Sequence, residues 1–166
     1  MTDQIQVLVT GGTFDKEYNY ITGELYFKET HLNEMFELGR CTLDLDIKTL
    51  MMMDSLQMKD EHRLNIYEHC VQTESNRIII THGTDTIVDT ANFIASKSEL
   101  KKTIVLTGAM VPIAFGTSSD GFFNLGSALA FVQTLPPGVY ISMNGRYYNW
   151  DKVRKNRNTG YFEAIT

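Results

Sequence analysis

Short apolar runs recur along the chain, and each has the length of a β-strand. They are rich in Val, Ile and Leu and lie at residues 5–9, 47–53, 77–80, 103–106 and 139–143. Runs such as RIII and TIVL show no polar alternation, which is typical of strands covered on both faces of a parallel sheet. The pattern therefore predicts five buried strands.

Helical periodicity fills the gaps between these runs. It is clearest over residues 60–72, 86–96 and 124–133, where Leu125, Leu129 and Val132 share one face, and weaker over 29–38. Strands that alternate with helices favour βαβ units with right-handed crossovers. We predict an α/β fold of the flavodoxin or Rossmann kind, with three layers: an open, mostly parallel sheet and helices on both faces. The polar, turn-rich residues from 147 onward receive no assignment.

The length and composition fit one domain. The chain has 166 residues, 43% of them hydrophobic and 21% charged, which is enough to bury a core. Residues 1–166 show no repeat, low-complexity tract or Pro/Ser-rich linker. A single domain is the expectation.

The net charge and the amino-terminal sequence limit the classes of binding partner and the cellular compartment that we expect. The net charge of -5 supplies no general positive field for nucleic acid or anionic lipid, and the basic run at 152–157, KVRKNR, is the local exception. The opening MTDQIQVLVTGG is acidic where a signal peptide is basic, and no 18-residue apolar stretch follows. We expect a cytoplasmic protein that binds neither nucleic acid nor membrane.

Cysteine and histidine give no sign of a metal site or a disulfide framework. Cys41 and Cys70 are too few for such a framework and lie in no metal-binding spacing, so they are interpreted as ordinary thiols. The four histidines show no ligand spacing either; they are His31, His62, His69 and His82.

Four polar segments directly follow predicted strands, where ligands bind in open α/β sheets. They are TGGT at 10–13, DS at 54–55, THGTDT at 81–86 and TGAM at 107–110. The first lacks both GxGxxG and GxxxxGK[ST], which disfavours a phosphate cradle. Its two glycines let the backbone approach a small ligand beside the Thr13 hydroxyl, although a tight turn alone also explains them.

The third segment has both a structural and a functional interpretation. Thr84 and Asp85 suit the start of a helix as capping residues. A functional role needs a partner that alters their proton affinity, and Lys155 is a candidate. Taken by itself, however, Lys155 is interpreted as a solvated surface charge. A lysine acts as a base only when neutral, which burial favours and a nearby carboxylate opposes.

Two further segments are interpreted as structural. The polar residues of SSDGFFNLGSALAF are expected to cap a helix, and its phenylalanines, Phe122, Phe123 and Phe131, to belong to the core. Met51 to Met53 are expected to be strand core.

Taken together, the motifs resemble the bacterial-type L-asparaginase family in its amino-terminal domain. The matching segments are TGGT at 10–13, HGTDT with the continuing TANFIA at 82–95, LTGAM at 106–110 and SSDGFFNL at 118–125. Their order and spacing agree over nearly the whole chain. The resemblance implies hydrolysis of the side-chain amide of asparagine, and often glutamine, to the acid and ammonia, through a threonine nucleophile and without metal or cofactor.

The resemblance also implies catalytic residues. Thr13 matches the family nucleophile, and Thr84 and Asp85 match the second catalytic threonine and its aspartate. Lys155 stands where the family places the lysine that completes this second triad. The tyrosine of the family's mobile loop is Tyr18 or Tyr20, of which we favour Tyr18 as the proton relay for Thr13.

Substrate-binding residues follow from the same resemblance. Ser55 matches a serine that contacts the substrate α-carboxylate, and Asp85 would bind the α-ammonium group. Gly12, Gly83 and the backbone of Thr84 line the loops that would offer N–H groups.

The chain departs from the family pattern at several points. Phe14 follows TGGT where Ile or Leu is usual, and Leu56 stands at the family's glutamine, with Gln57 one place on. The family normally continues into a smaller second domain that helps to build a neighbouring subunit's site, and this domain is expected to be absent here. We therefore expect a homo-oligomer, a dimer or tetramer, whose monomer is inactive.

Three functions are weighed. The first is an amidohydrolase acting on asparagine or a related small amide. The second is a non-catalytic module that binds an amino acid or amide. The third, a nucleotide-binding domain, depends on TGGT alone.

Overall fold

The structure is a computed structural model that describes residues 3–97 and 100–166. Its helices are α1 Leu32–Leu38, α2 Asp60–Gln72, α3 Ile87–Lys97 and α4 Gly121–Thr134. Its strands are β1 Ile5–Gly11, β2 Lys16–Asn19, β3 Glu24–Phe27, β4 Leu45–Met53, β5 Arg77–Thr81, β6 Thr103–Thr107, β7 Gly138–Met143, β8 Arg146–Asn149, β9 Val153–Lys155 and β10 Phe162–Ala164. Short 3-10 helices span Thr13–Asp15, Ser55–Gln57 and Ile113–Ser118.

The central sheet has six strands in the order β4-β1-β5-β6-β7-β8. The first five are parallel, and β8 pairs antiparallel with β7 at the edge. In the register, Val7 of β1 lies between Ile47 of β4 and Ile79 of β5. The chain leaves β1 toward one side of the sheet and later resumes at β5 on the other side. The topological switch point, where such sheets bind ligands, therefore lies between β1 and β5.

Two buried clusters make the sheet the middle of three layers. On one face, Val7, Ile79 and Val105 pack with α1 and α4 through residues such as Phe36 and Leu125. On the other face, strand residues pack with α2 and α3, and β9 and β10 join this second cluster. The α/β fold predicted from the alternation of strands and helices is confirmed.

Several elements differ from the sequence prediction. Helix α1 begins at Leu32 and not at residue 29, because the carboxylate of the buried Asp15 accepts hydrogen bonds from the His31 N–H and the Thr30 hydroxyl before the helix starts. The β2–β3 hairpin had no signal because its side chains are polar or exposed. The unassigned tail forms β8, β9 and β10.

Two predictions about apolar side chains require correction. Phe122 and Phe123 are not core residues: they lie on the outer side of α4 and are exposed, and Phe123 lies over Gly145. Phe131 is only partly buried and packs against Tyr147. Met51 to Met53 are only partly buried, because β4 is an edge strand, although all three pack against the core clusters.

Both cysteines are free. Burial raises the pKa of the Cys70 thiol to about 12, which keeps it protonated and unreactive.

Across residues 3–97 and 100–166, none of the helices is both long enough and apolar enough to cross a membrane.

Candidate active site

The loops after β1, β4 and β5 meet at the carboxyl edge of the sheet. Gly12 has a φ of 76°, and a Cβ on it would lie 2.4 Å from the Cα of Gly83. A Cβ on Gly83 would in turn lie 2.5 Å from the Oγ of Ser55. Glycine is therefore required at both positions for the three loops to pack so closely. This packing brings TGGT, DS and HGTDT together, as expected of residues that follow neighbouring parallel strands.

The loop after β6 joins the same cluster through Gly108 and Met110. A Cβ on Gly108 would lie 2.3 Å from the carbonyl oxygen of His82. The Thr84 hydroxyl donates to the Met110 sulfur at 3.5 Å. LTGAM therefore supplies a side chain that touches the second candidate threonine.

Asp120, from the SSDG segment, holds this loop. Its carboxylate accepts the N–H groups of Met110 and Val111, each at 3.0 Å. It makes no side-chain capping bond to α4, whose Gly121 N–H is instead accepted by Ser119 Oγ at 2.9 Å. The capping interpretation thus fits Ser119, whereas Asp120 positions the neighbour of Thr84.

Lys155 comes from β9 and reaches Thr84 and Asp85 across the site. Its Nζ donates to Asp85 Oδ1 at 2.8 Å and to Thr84 Oγ1 at 2.9 Å, although these residues lie 70 and 71 positions apart in sequence. The lysine side chain is only 12% exposed. A solvated surface charge is therefore the wrong interpretation of Lys155. The three groups that the resemblance assigned to the second triad lie in direct hydrogen-bond contact.

Arg157 is a second cation on the same aspartate, and sequence reasoning did not single it out. Its Nη1 lies 3.3 Å from Asp85 Oδ1, and its Nη2 donates to the Asp85 carbonyl oxygen at 3.1 Å. The rest of the basic run is dispersed: Arg154 pairs with Glu163 at 2.8 Å, and Lys152 lies beside Asp151. The run therefore does not form one basic surface.

Thr13 and Tyr18 are not joined in this structure. Thr13 opens the 3-10 helix after Gly12 and is partly exposed, and its hydroxyl makes no hydrogen bond within the described part of the chain. Tyr18 lies on β2, where its ring meets the edge of Phe115 at a centroid distance of 6.3 Å. Tyr20 lies in the hairpin turn and is 88% exposed.

The elements that follow TGGT differ from those of a phosphate loop. A three-residue 3-10 helix and a hairpin follow it. Phosphate loops of this kind lead directly into the N-terminus of an α-helix.

Ser55 is buried and held by its neighbours. The Asp54 side chain accepts the Leu56 N–H and caps the short 3-10 helix, and its other oxygen pairs with Lys16 at 2.8 Å. The hydrogen bond from Lys16 lowers the pKa of the Asp54 carboxyl, so this pair stays charged. Thr86 donates to the Ser55 carbonyl at 2.8 Å, which ties Ser55 to the HGTDT loop.

His82 organises the loop from beneath. Its ring is fully buried, with Nδ1 2.7 Å from the Gly83 carbonyl oxygen and Nε2 2.7 Å from the Thr90 hydroxyl. Since a carbonyl only accepts, Nδ1 carries the proton and Nε2 accepts from Thr90, whose oxygen accepts from Arg63 Nε. Burial lowers the pKa of His82 to about 4, so the ring is neutral. The sequence showed His82 within a motif but gave no role for it.

Within residues 3–97 and 100–166, no group of three or more His, Cys, Asp or Glu side chains is arranged to hold a metal ion.

Comparison with known proteins agrees with these features. The chain matches the family model described as "Asparaginase, N-terminal" over residues 4–165. It is 28% identical over 176 residues to the probable periplasmic L-asparaginase of Haemophilus influenzae, covering 93% of this chain and 47% of that protein. The chain thus spans about half the length of this relative.

Solved structures show the same relation. The thermostable L-asparaginase from Thermococcus kodakarensis superposes with a TM-score of 0.84 at 25% identity, over 98% of this chain and 51% of that one. A probable cytoplasmic L-asparaginase from Campylobacter jejuni gives a TM-score of 0.79 at 25% identity, over 98% and 52%. Relatives named for both periplasm and cytoplasm occur, so the cytoplasmic location stays a prediction. The family model spans nearly the whole chain and the fold agrees; the chain belongs to the asparaginase family, over the part that corresponds to its amino-terminal domain.

Proposed function

We propose that the protein hydrolyses the side-chain amide of L-asparagine, or of a related small amide, to the acid and ammonia. Membership of a family whose members include proteins named L-asparaginase supports this class of reaction. The observation on which the proposal depends most is the contact of Lys155 with both Thr84 and Asp85. A lysine placed only for solubility has no reason to reach across the site to these two residues.

The first half of the proposed reaction uses Thr13. An amide is a poor electrophile and a neutral threonine a poor nucleophile, so the attack needs a base at the hydroxyl and donors at the developing oxyanion. The Thr13 hydroxyl makes no hydrogen bond within the described residues and is free to turn toward a bound carbonyl. We assign Tyr18 as the relay that removes its proton once the hairpin moves over the substrate.

Attack by Thr13 forms an ester with the substrate acyl group and breaks the C–N bond, and the leaving amine takes a proton and departs as ammonia. In the second half, water hydrolyses this ester and returns the acid and the free Thr13 hydroxyl. Lys155 Nζ is placed to exchange a proton with the Thr84 hydroxyl in this half, and Asp85 orients the lysine. The close packing of Gly12 against Gly83 brings the backbone of both loops to one place, where N–H groups can face an oxyanion. Ser55, beneath Gly83, is the proposed contact for a substrate carboxylate.

The test is ammonia release from asparagine, glutamine and larger amides by the purified protein. We expect Thr13→Ala and Lys155→Met each to lower kcat by about 100-fold or more, because each removes a group that takes part in proton transfer or attack. Lys152→Met is the matched control, since Lys152 is exposed and lies outside the site. An ordered wild-type protein that releases no ammonia from any amide contradicts the proposal.

A second candidate function is a non-catalytic module that binds an amino acid or amide. It is favoured by one observation: Tyr18 packs on Phe115, and within the described residues no base touches Thr13. Calorimetry separates the two functions. Binding that survives Thr13→Ala, with no turnover by the wild type, supports the module, whereas turnover excludes it.

A further inference from the structure

The Asp85 carboxylate is engaged by two cations. Lys155 Nζ and Arg157 Nη1 both contact Oδ1, at 2.8 and 3.3 Å. A second bond, from Arg157 Nη2 to the Asp85 carbonyl oxygen at 3.1 Å, fixes the guanidinium against this residue. Arg157 is therefore held in place at the edge of the site by two hydrogen bonds, although its side chain is 65% exposed.

This arrangement changes the charge that a ligand meets. One carboxylate and two cations leave a local charge of +1 at Asp85. Among the other charged groups of these loops, Asp54 pairs with Lys16, and the Asp120 carboxylate accepts two backbone N–H groups and, within the described residues, forms no ion pair with Lys155 or Arg157. The charged groups in direct contact at Asp85 therefore sum to +1, and a ligand group placed beside them meets this positive charge.

Such a surface disfavours a substrate ammonium group. Only Oδ2 of Asp85 remains open to it in the described part of the chain, and an ammonium there would lie close to both existing cations. With Lys155 alone, the attraction to the carboxylate and the repulsion from one cation compete. Arg157 adds a second repulsion, which the solvent screens more because its side chain is 65% exposed. Arg157 therefore shifts the balance further against an ammonium group.

The same surface favours a carboxylate. A guanidinium has five N–H donors in a planar fork, and the bonds to Asp85 use only two of them. The remaining donors match the geometry of a ligand carboxylate, and the exposure of Arg157 leaves them accessible.

We propose that Arg157 determines the substrate class of this site, which favours the ω-amide of a dicarboxylic acid without an α-ammonium group over L-asparagine. Such a substrate brings no cation to Asp85, and its single carboxylate, proposed above to contact Ser55, is also attracted by the positive charge of Arg157. The proposal rests on the proposed amide hydrolysis for its substrate, but the charge preference is a property of the folded protein alone.

The test compares two product analogues that differ by the ammonium group. Succinate and L-aspartate are titrated by calorimetry into the wild type, Arg157→Gln and Arg157→Lys, and ammonia release from succinamate and L-asparagine is measured in parallel. Arg154→Gln is the matched control because it removes the same charge at another position. The Arg154 side chain is 67% exposed and pairs with Glu163 away from Asp85. Thermal unfolding of each variant verifies the fold.

We expect the wild type to bind succinate at least tenfold more tightly than L-aspartate. Arg157→Gln should abolish or reverse that ratio, Arg157→Lys should keep part of it, and Arg154→Gln should leave it unchanged. Equal or tighter binding of L-aspartate by the wild type overturns the proposal. So does an unchanged ratio of succinate to L-aspartate affinity in Arg157→Gln. Absence of binding of both compounds at 10 mM, roughly the weakest affinity of interest, overturns it as well.

The two proposals fail separately. Absence of ammonia from every amide, with the succinate preference present, removes the proposed hydrolysis and leaves the charge preference intact. Hydrolysis of L-asparagine with no preference between the two analogues supports the proposed hydrolysis and removes the charge preference.

Discussion

At the scale of single residues, the position of the HGTDT loop in the candidate site depends on His82, which has no role in the proposed reaction. His82 spans the distance between Thr90 on α3 and the carbonyl of Gly83, the glycine on which Gly12 and Ser55 converge. Nδ1 donates to the Gly83 carbonyl, and Nε2 lies 2.7 Å from the Thr90 hydroxyl and 3.1 Å from the Met58 sulfur. These partners can serve either protonation state, but a fully buried ring beside the Arg63 guanidinium cannot easily carry a charge. Burial therefore imposes the requirement that the ring be neutral.

This requirement predicts a pH dependence of stability. Burial lowers the pKa of His82 to about 4 in the folded state, against about 6.5 in the unfolded chain. As the pH falls from 6.5 to 4, the unfolded state takes up a proton that the folded state does not, so stability is lost across that window and is fully present above it. We expect the free energy of unfolding to fall by up to about 3 kcal/mol over this range, measured by urea denaturation at successive pH values.

His82→Gln isolates this effect, because glutamine has no proton to gain. Asp15 acts in the opposite direction: burial raises its pKa, so the folded state takes up that proton first and gains stability as the pH falls. The difference between wild type and variant removes this shared contribution. His69→Gln, at a partly exposed position of α2, is the control. A pH slope between 4 and 6.5 that is identical in wild type and His82→Gln is the result that contradicts the assignment.

At the scale of elements, the carboxyl end of α2 is closed by a lysine from another part of the chain. Lys102, just before β6, donates to the carbonyls of Cys70 at 2.8 Å and Val71 at 3.4 Å, and to that of Thr73. The last carbonyls of a helix have no partner within it, and a cation there also meets the negative end of the helix dipole. This contact joins α2 to the central sheet at the edge opposite the candidate site.

Lys102→Met is therefore expected to lower the free energy of unfolding by about 1–2 kcal/mol, since it removes the cation and its hydrogen bonds but keeps the side-chain length. Denaturation by urea measures the loss. Lys101→Met, at the adjacent exposed position, should change stability by no more than about 0.5 kcal/mol. Equal effects of the two substitutions would show that the contact contributes nothing.

The same scale explains which elements the sequence predicted. Strands such as β5 and β6 are buried on both faces, so their continuous apolar runs identified them directly. β2 and β3 form a separate two-stranded sheet and expose Leu25 and Tyr26, so their sequences show no pattern of buried apolar residues. The prediction that Phe122 and Phe123 belong to the core was wrong because it considered their polarity and not their position on the helix. The buried face of α4 includes Leu125, Ala128 and Val132, and the two phenylalanines lie outside it.

At the scale of the whole molecule, the sequence could predict those residues of the candidate site that come directly after a strand. Thr13, Ser55 and Thr84 each lie two or three residues beyond a parallel strand, and the sheet order brings those strand ends together. Met110 and Arg157 were not predictable, because their contacts with Thr84 and Asp85 depend on how a loop and the tail fold back. Lys155 could be named from the residues alone only as a candidate, and the family resemblance was needed to prefer it over a solvated surface charge.

The last prediction concerns association. The site edge is flanked by exposed apolar side chains: Phe115 and Met110 are 44% and 39% exposed, and the hairpin tip carries Tyr20 and Ile21, which are 88% and 90% exposed. Exposed apolar groups grouped beside a site are typical of an interface, and closed homo-oligomers are the commonest assemblies. We expect a second copy to cover this edge, so that the monomer is inactive.

Specific activity should then rise with protein concentration and level off where light scattering shows a dimer or tetramer. Ile21→Asp places a charge at the hairpin tip and should shift the protein toward monomer, with loss of ammonia release in the same proportion, because burying an unpaired carboxylate is costly. Val71→Asp is the control: Val71 is also exposed, but it lies near the end of α2, beside the opposite edge of the sheet. A protein that remains monomeric at every concentration with constant specific activity would show that one copy of these residues suffices, and the exposed hairpin would then need another explanation.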